Sequence, residues 1–245
     1  MSHIPKKEVE YYDEIKAFVT ANKKEAWNMV SNFPNYIDRQ RLTKYFARYD
    51  IFKQIINVHG SIIECGVWNG GGLMLFAQLC AILEPYNYVR KIIGFDTFEG
   101  FPSLKEEDEL SRDKKYLSVG QFKCQSFEGL LKAIELFDLN RPIGHVSKVE
   151  LVKGDAVKTI PEYVKKNPQL IVSLLYLDFD LFEPTKVAIQ SFMPLMPKGA
   201  VIVFDELSQV RCPGETIAMM QEIGVKNLEL KRVPFEPEIS YAIIK

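Results

Sequence analysis

Five stretches of the chain, 61–67 (SIIECGV), 91–98 (KIIGFDTF), 149–156 (VELVKGDA), 171–180 (IVSLLYLDFD) and 199–207 (GAVIVFDEL), are short apolar runs rich in β-branched residues. Each closes on an acidic or glycine-containing turn. Continuous apolarity, in place of alternation, marks strands covered on both faces, as in a parallel sheet between helices. Helical spacing appears between them, with Phe76, Leu79, Cys80 and Leu83 on one face and Phe127, Leu130, Leu131, Ile134 and Phe137 on another. Pro184 suits the first turn of a further helix, which the pattern carries to Pro197-Lys198-Gly199. Two strand-like runs, 228–235 and 239–245, end the chain with Glu236-Pro237-Glu238 between them. This spacing predicts an antiparallel hairpin at one side of the sheet. The expected fold is α/β: a Rossmann-like, mostly parallel, doubly wound sheet with a C-terminal antiparallel hairpin.

Residues 1–60 lack such strands. Val9, Tyr12, Ile15 and Val19 are spaced as in a helix, Asn32-Phe33-Pro34-Asn35 breaks the chain, and a second helix places Leu42, Tyr45, Phe46, Tyr49 and Phe52 on one face before Gly60. The organisation expected is an N-terminal helical layer over 1–60 and a core domain over 61–245. The charge run at 105–115 (KEEDELSRDKK) reads as a solvated loop or as a lid over a site, with the balance slightly toward the lid.

Composition narrows the function. With 47% hydrophobic and 26% charged residues in 245, the chain is neither disordered nor a coiled coil. Thirty-one basic against 32 acidic residues leave no excess to attract nucleic acid. Cys65, Cys80, Cys124 and Cys212 form no C-x-x-C pair, so free thiols in a reducing compartment are expected over a zinc ribbon or redox dithiol. No run of 18 apolar residues occurs and the start has no apolar core of signal-peptide length, which points to a cytoplasmic protein without a membrane partner.

Candidate chemistry gathers where the strands end, which is where open parallel sheets bind ligands. The turn from Glu64 to Gly72 (ECGVWNGGG) lets the backbone approach a ligand, but its spacing is neither that of a dinucleotide site nor that of a P-loop. Asp96 can accept two ribose hydroxyls. Asp155 can receive an adenine amino group or cap the next helix, and these two readings stand level. Asp178 and Asp180, two apart, would face the same way in an extended strand, and Asp205 and Glu206 end the next one. Neighbouring strands lie roughly 5 Å apart, so the carboxylates would meet at one rim and need a cation. All-oxygen ligation suits Mg²⁺, Mn²⁺ or Ca²⁺. Helix capping accounts for one or two of these acids, hardly for four. His3 is terminal, His59 caps a helix and His145 sits in a loop; none is a catalytic candidate.

The phrases IIECGVWNGGG, GFDTFEGFP, LLYLDFDLFEPT and VIVFDE, followed by Pro213-Gly214, resemble the macrocin O-methyltransferase (TylF/MycF/NovP-like) family in this order. Those are class I, metal-dependent sugar O-methyltransferases that use S-adenosylmethionine, and the resemblance runs from about Asp38 to the C-terminus. It implies that Glu64, Gly66 and Trp68 line the methionine part of the cofactor, that Asp96 binds ribose, that Phe98 borders the nucleoside and that Asp155 meets adenine. It further implies Asp178, Asp205 and Glu206 as ligands of a divalent cation, Mg²⁺ first, and Asp180 as general base. Glu206 departs from the family, which usually has a second Asp there. The segment YIDRQRLTKYFARYDIFK places the likeness nearer to enzymes acting on nucleotide-linked hexoses of natural-product or surface-glycan biosynthesis. A catechol or other hydroxylated acceptor, and a non-catalytic nucleoside-binding homologue, stand as alternatives; a homo-oligomer is compatible with the sequence.

Overall fold

The computed structural model describes residues 6–21 and 23–245; His3 and the side chains of Val9 and Tyr12 lie outside the described residues. Seven strands form one sheet: β1 (Ser61–Cys65), β2 (Ile92–Asp96), β3 (Val149–Lys153), β4 (Val172–Leu177), β5 (Val201–Phe204), β6 (Lys231–Val233) and β7 (Glu236–Ile243). Their order is β3-β2-β1-β4-β5-β7-β6. The first five pair in parallel, while β7 runs antiparallel to both β5 and β6. The α/β sheet with its C-terminal hairpin is therefore as the sequence predicts. Residues 228–230 stay outside the strands, and Glu236-Pro237-Glu238, expected to link the two arms, instead opens β7, with the turn at 234–235.

The helices are α1 (Lys6–Ala21), α2 (Ala26–Ser31), α3 (Arg39–Ile55), α4 (Gly71–Leu83), α5 (Phe127–Asn140), α6 (Ala156–Lys166), α7 (Phe182–Phe192) and α8 (Pro213–Glu222). One face of the sheet, through Ile62, Leu174, Tyr176 and Val203, packs with Phe52, Phe76 and Leu130. The other, through Ile63, Leu175, Leu177 and Ile202, packs with Ile160, Ile189, Phe192 and Met219. Burial on both faces explains the unbroken apolar runs of β1, β4 and β5. β3 lies at the sheet edge and is only partly buried.

Two expectations about helix faces are corrected. On α3 the buried stripe is Ala47, Arg48, Ile51, Phe52 and Ile55, while Tyr45, Phe46 and Tyr49 are exposed. An arginine at the i, i+3, i+4, i+7 spacing disguises the true face as polar. On α5, Leu130 and Phe137 are buried but Leu131 is exposed. The short α2 was not foreshadowed by the pattern.

The chain forms two compact units, Met1–Phe46 and Ala47–Lys245, with the division inside α3. Within the first, Phe18 and Tyr36 stack with centroids 5.3 Å apart. Within the second, Arg90 closes the edge where β1 begins. It donates to the carbonyls of Ile55, Val58 and Gly60, to Glu84 and to the Ser173 hydroxyl.

Candidate active site

The turn after β1 is built around two constraints. At Gly66 (φ +92°) a Cβ would lie 1.9 Å from the Asp178 carbonyl oxygen, so only glycine lets β1 and β4 run side by side here. Asp96, at the end of β2, then fixes the loop. Its Oδ2 accepts the N–H groups of Val67 and Trp68, both at 2.8 Å, and its Oδ1 accepts that of Phe98 at 2.6 Å. Three charge-assisted bonds to backbone make Asp96 the organiser of both the 66–68 turn and the turn after β2. Phe98 is buried and packs on Phe127, with centroids 4.7 Å apart. Asp155 caps α6 by accepting from Val157 N at 3.1 Å, so its helix-capping reading is realised.

The carboxylates fall into two groups. Glu64, Asp178 and Asp205 surround the buried guanidinium of Arg48, whose Nη2 lies 3.8, 3.5 and 3.9 Å from one oxygen of each. Arg48 also stacks on the Tyr176 ring at 4.5 Å, and the Tyr176 hydroxyl donates to Asp205. A Cβ on Gly72 would stand 2.1 Å from Glu64 Oε1 and 3.0 Å from Arg48 Nε, so the glycine leaves this ion cluster its room. Burial opposes the charge on Arg48, but Tyr176, Asp205, Glu64 and Asp178 more than offset it and the guanidinium stays charged. Burial pushes the Glu64 carboxyl up to about 8, with Arg48 pulling the other way.

Asp180 belongs to the second group. The strand ends at Leu177 and Asp180 has φ +61°, so the extended geometry that would have aligned it with Asp178 is broken. Its neighbour is Glu206. Tyr116 hydroxyl lies 3.2 Å from Glu206 Oε1 and 3.4 Å from Asp180 Oδ1, and the Cys212 thiol donates to Glu206 Oε2 at 2.9 Å. Arg211 bridges Glu206 at 3.2 Å and Glu238 at 2.7 Å. Behind them, fully buried Glu215 accepts the Glu206 N–H at 3.0 Å, and its other oxygen has no hydrogen-bond partner among the described residues. Burial, then the hydrogen bond and charge of Glu206, drive the Asp180 carboxyl well above its ordinary range. A proton is thus held where positive charge is wanted. Among the described residues, Asp180, Glu206 and Cys212 each offer a ligand atom within 4.8 Å of the others. The two carboxylates of this set fit a hard divalent cation, whereas the Cys212 thiol is not a donor such a cation selects.

The charged 105–115 segment is anchored to this site. Asp108 is buried and accepts from Phe182 N, at the start of α7, and from Lys105 N. Ser111 donates to the Arg211 carbonyl, and Arg112 N to that of Val210 at 3.0 Å. Beyond it, Tyr116, Phe101 and Trp68 all contact the Phe122 ring, at 5.0, 5.3 and 6.0 Å, joining the glycine turn to the carboxylate pair. Sequence reasoning missed Arg48, Tyr116, Cys212 and Glu215. Only Arg48 carried a usable signal, its position on the buried stripe of α3.

The sheet order and the cleft loops at the carboxyl ends of β1, β2, β4 and β5 define a class I S-adenosylmethionine-dependent methyltransferase fold. Residues 15–229 match the model of the macrocin-O-methyltransferase (TylF) family, and the chain belongs to that family. It is similar to the calicheamicin methyltransferase CalS11 at 33% identity, over 99% of this chain and 94% of that one, with a TM-score of 0.91. An apo structure of CalS11, described as a TDP-rhamnose 3'-O-methyltransferase, aligns at 30% identity over 99% and 96% with a TM-score of 0.83. An 8-demethyl-8-(2,3-dimethoxy-alpha-L-rhamnosyl)-tetracenomycin-C 4'-O-methyltransferase of Streptomyces olivaceus is 24% identical over 160 residues. That match takes in 63% of this chain and 56% of the relative, so the chain spans little more than half the length of that curated protein.

Proposed function

We propose that this protein transfers the methyl group of S-adenosylmethionine to a hydroxyl of a sugar, carried on a nucleotide, in natural-product or surface-glycan biosynthesis. The observation that carries the reading is the buried Asp180–Glu206 pair at the ends of β4 and β5, with a hydroxyl already against it. With a cation bound beside it in place of the proton it otherwise holds, a carboxylate so placed would take the proton of an alcohol, which is a poor nucleophile near neutrality, and general-base action of this kind contributes roughly 10²–10⁴-fold.

The remaining residues position the partners. The 64–72 turn, held by Asp96, supports the methionine and ribose portions of the cofactor through Glu64, Gly66, Trp68 and Asp96 itself; Phe98 borders the nucleoside and Asp155 meets the adenine. Asp178, Asp205 and Glu206 would hold a divalent cation, Mg²⁺ first, once the Arg48-bound pair and Glu206, which stand in separate groups in this structure, draw together. When bound, that cation orients neighbouring sugar oxygens and lowers the pKa of the reacting hydroxyl. The aromatic surface of Trp68, Phe122 and Tyr116 excludes water between cofactor loop and base. No described helix is long and apolar enough to cross a membrane.

A crystal soaked with adenosylhomocysteine tests the cofactor half. The ligand is expected along 64–72 with its ribose hydroxyls on Asp96. Binding elsewhere, or none at saturating ligand, overturns the reading.

A further inference from the structure

One arginine nitrogen lies within 4.0 Å of three carboxylates. Arg48 Nη2 is 3.5 Å from Asp178, 3.8 Å from Glu64 and 3.9 Å from Asp205, and no contact is the two-pronged pairing that guanidinium and carboxylate usually form. Arg48 is buried, yet its Nε has no hydrogen-bond partner among the described residues. An arginine placed only to tie α3 to the sheet would use its fork of donors. This one instead supplies charge within reach of three oxygens.

We propose that Arg48 is a built-in counter-ion that a divalent cation must displace: its guanidinium holds the space between Asp178 and Asp205 in the metal-free protein, and cation loading moves it off them. The inference rests on the divalent-cation part of the functional reading. A hard cation such as Mg²⁺ binds oxygen at roughly 2.0–2.1 Å, so its ligands must close to about 4 Å or less of one another. Asp205 is buried and Asp178 partly so, and a dication bound to them and the guanidinium beside them repel each other, so the one displaces the other. The exchange also frees Arg48 to pair with Glu64, joining the metal face to the methionine end of the cofactor site.

Mn²⁺ titration followed by electron paramagnetic resonance tests this on chelator-treated wild type, Arg48→Gln and Asp205→Asn. Arg48→Gln removes the competing charge, so Mn²⁺ should bind about tenfold more tightly than in wild type. Asp205→Asn should bind it more weakly. Equal or weaker Mn²⁺ affinity in Arg48→Gln overturns the proposal and leaves the metal reading standing. No Mn²⁺ binding in folded wild type or folded Arg48→Gln overturns both. Wild type supplies a second reading that needs no variant to fold. The ¹⁵Nε signal of Arg48 should shift on Mg²⁺ titration with the midpoint of metal binding, and a signal that stays fixed at saturation contradicts displacement.

Discussion

The phenol of Tyr116 sits 3.2 Å from Glu206, a contact made across 90 residues of sequence, and 3.4 Å from Asp180. Burial and the two neighbouring carboxylates hold the tyrosine well above its ordinary pKa, so it remains protonated and donates. It thereby places a hydroxyl against Asp180. Tyr116→Phe removes one hydrogen bond and no proton acceptor, so kcat should stay within about threefold while acceptor KM falls or holds. Asp180→Asn should keep cofactor affinity and lose kcat by roughly 10²–10⁴-fold. A collapse of kcat in Tyr116→Phe with Asp180→Asn still active would reverse these roles.

Asp96 holds two turns and, in the proposed function, also receives the cofactor's ribose, and variants test that second role. Asn in its place retains one oxygen, able to serve the Val67 and Trp68 N–H groups or that of Phe98, whereas Ala releases all three. Calorimetry with adenosylhomocysteine should show Asp96→Ala weaker than wild type by about 1–3 kcal/mol, with Asp96→Asn between them. Chelator should not change wild-type affinity. Unaltered binding in Asp96→Ala would remove this residue from the cofactor site.

Much of this was legible in the chain. The glycine at 66, the acid at 96 and the carboxylates closing β4 and β5 are local to strand ends, and strand ends follow from apolar runs. What failed depended on tertiary packing. Asp178 and Asp180 look aligned only if the strand continues; the left-handed residue at 180 turns them apart. The sequence demanded a cation for the acid cluster, and part of it is an arginine from α3, 130 residues before Asp178. Its charge hid it among the polar positions of a helix whose aromatic residues suggested a different inner face. Tyr116 was invisible because it follows the 105–115 charge run, whose pattern distinguishes a solvated loop from a lid too weakly to show that Asp108 and Ser111 within it are buried.

Glu64 gives a pH signature. Its folded value of about 8 exceeds the ordinary 4.5, so the folded state binds this proton more tightly than the unfolded chain. Its contribution is fully present below pH 4.5 and is lost as pH rises through 8. Chelator-treated wild type should therefore lose stability relative to Glu64→Gln across that window, and the two difference curves should run parallel below it. Denaturant melts at several pH values measure this. A constant gap from acid to pH 9 (about one unit beyond the folded value) would contradict the shift.

Arg90 makes a purely structural claim. Arg90→Leu leaves buried Glu84 without its cation and three carbonyls without a donor. Loss of a buried partner of this kind costs about 3–5 kcal/mol, read as a lower denaturant midpoint at unchanged slope. Surviving folded protein should bind adenosylhomocysteine normally. A stability change under about 0.5 kcal/mol, the range of ordinary surface substitutions, would show the network to be dispensable.

The most direct measurement is transfer of label from S-adenosylmethionine to a panel of nucleotide sugars, free sugars and catechols, with Mg²⁺ present or chelated. Labelled product is expected from a nucleotide-linked hexose bearing two neighbouring hydroxyls. It should fall with Mg²⁺ removal and, in kcat as well as KM, when the neighbouring hydroxyl is replaced by hydrogen. Methylation confined to catechols, or full turnover of the deoxy sugar without Mg²⁺, would contradict a metal-assisted sugar O-methyltransferase.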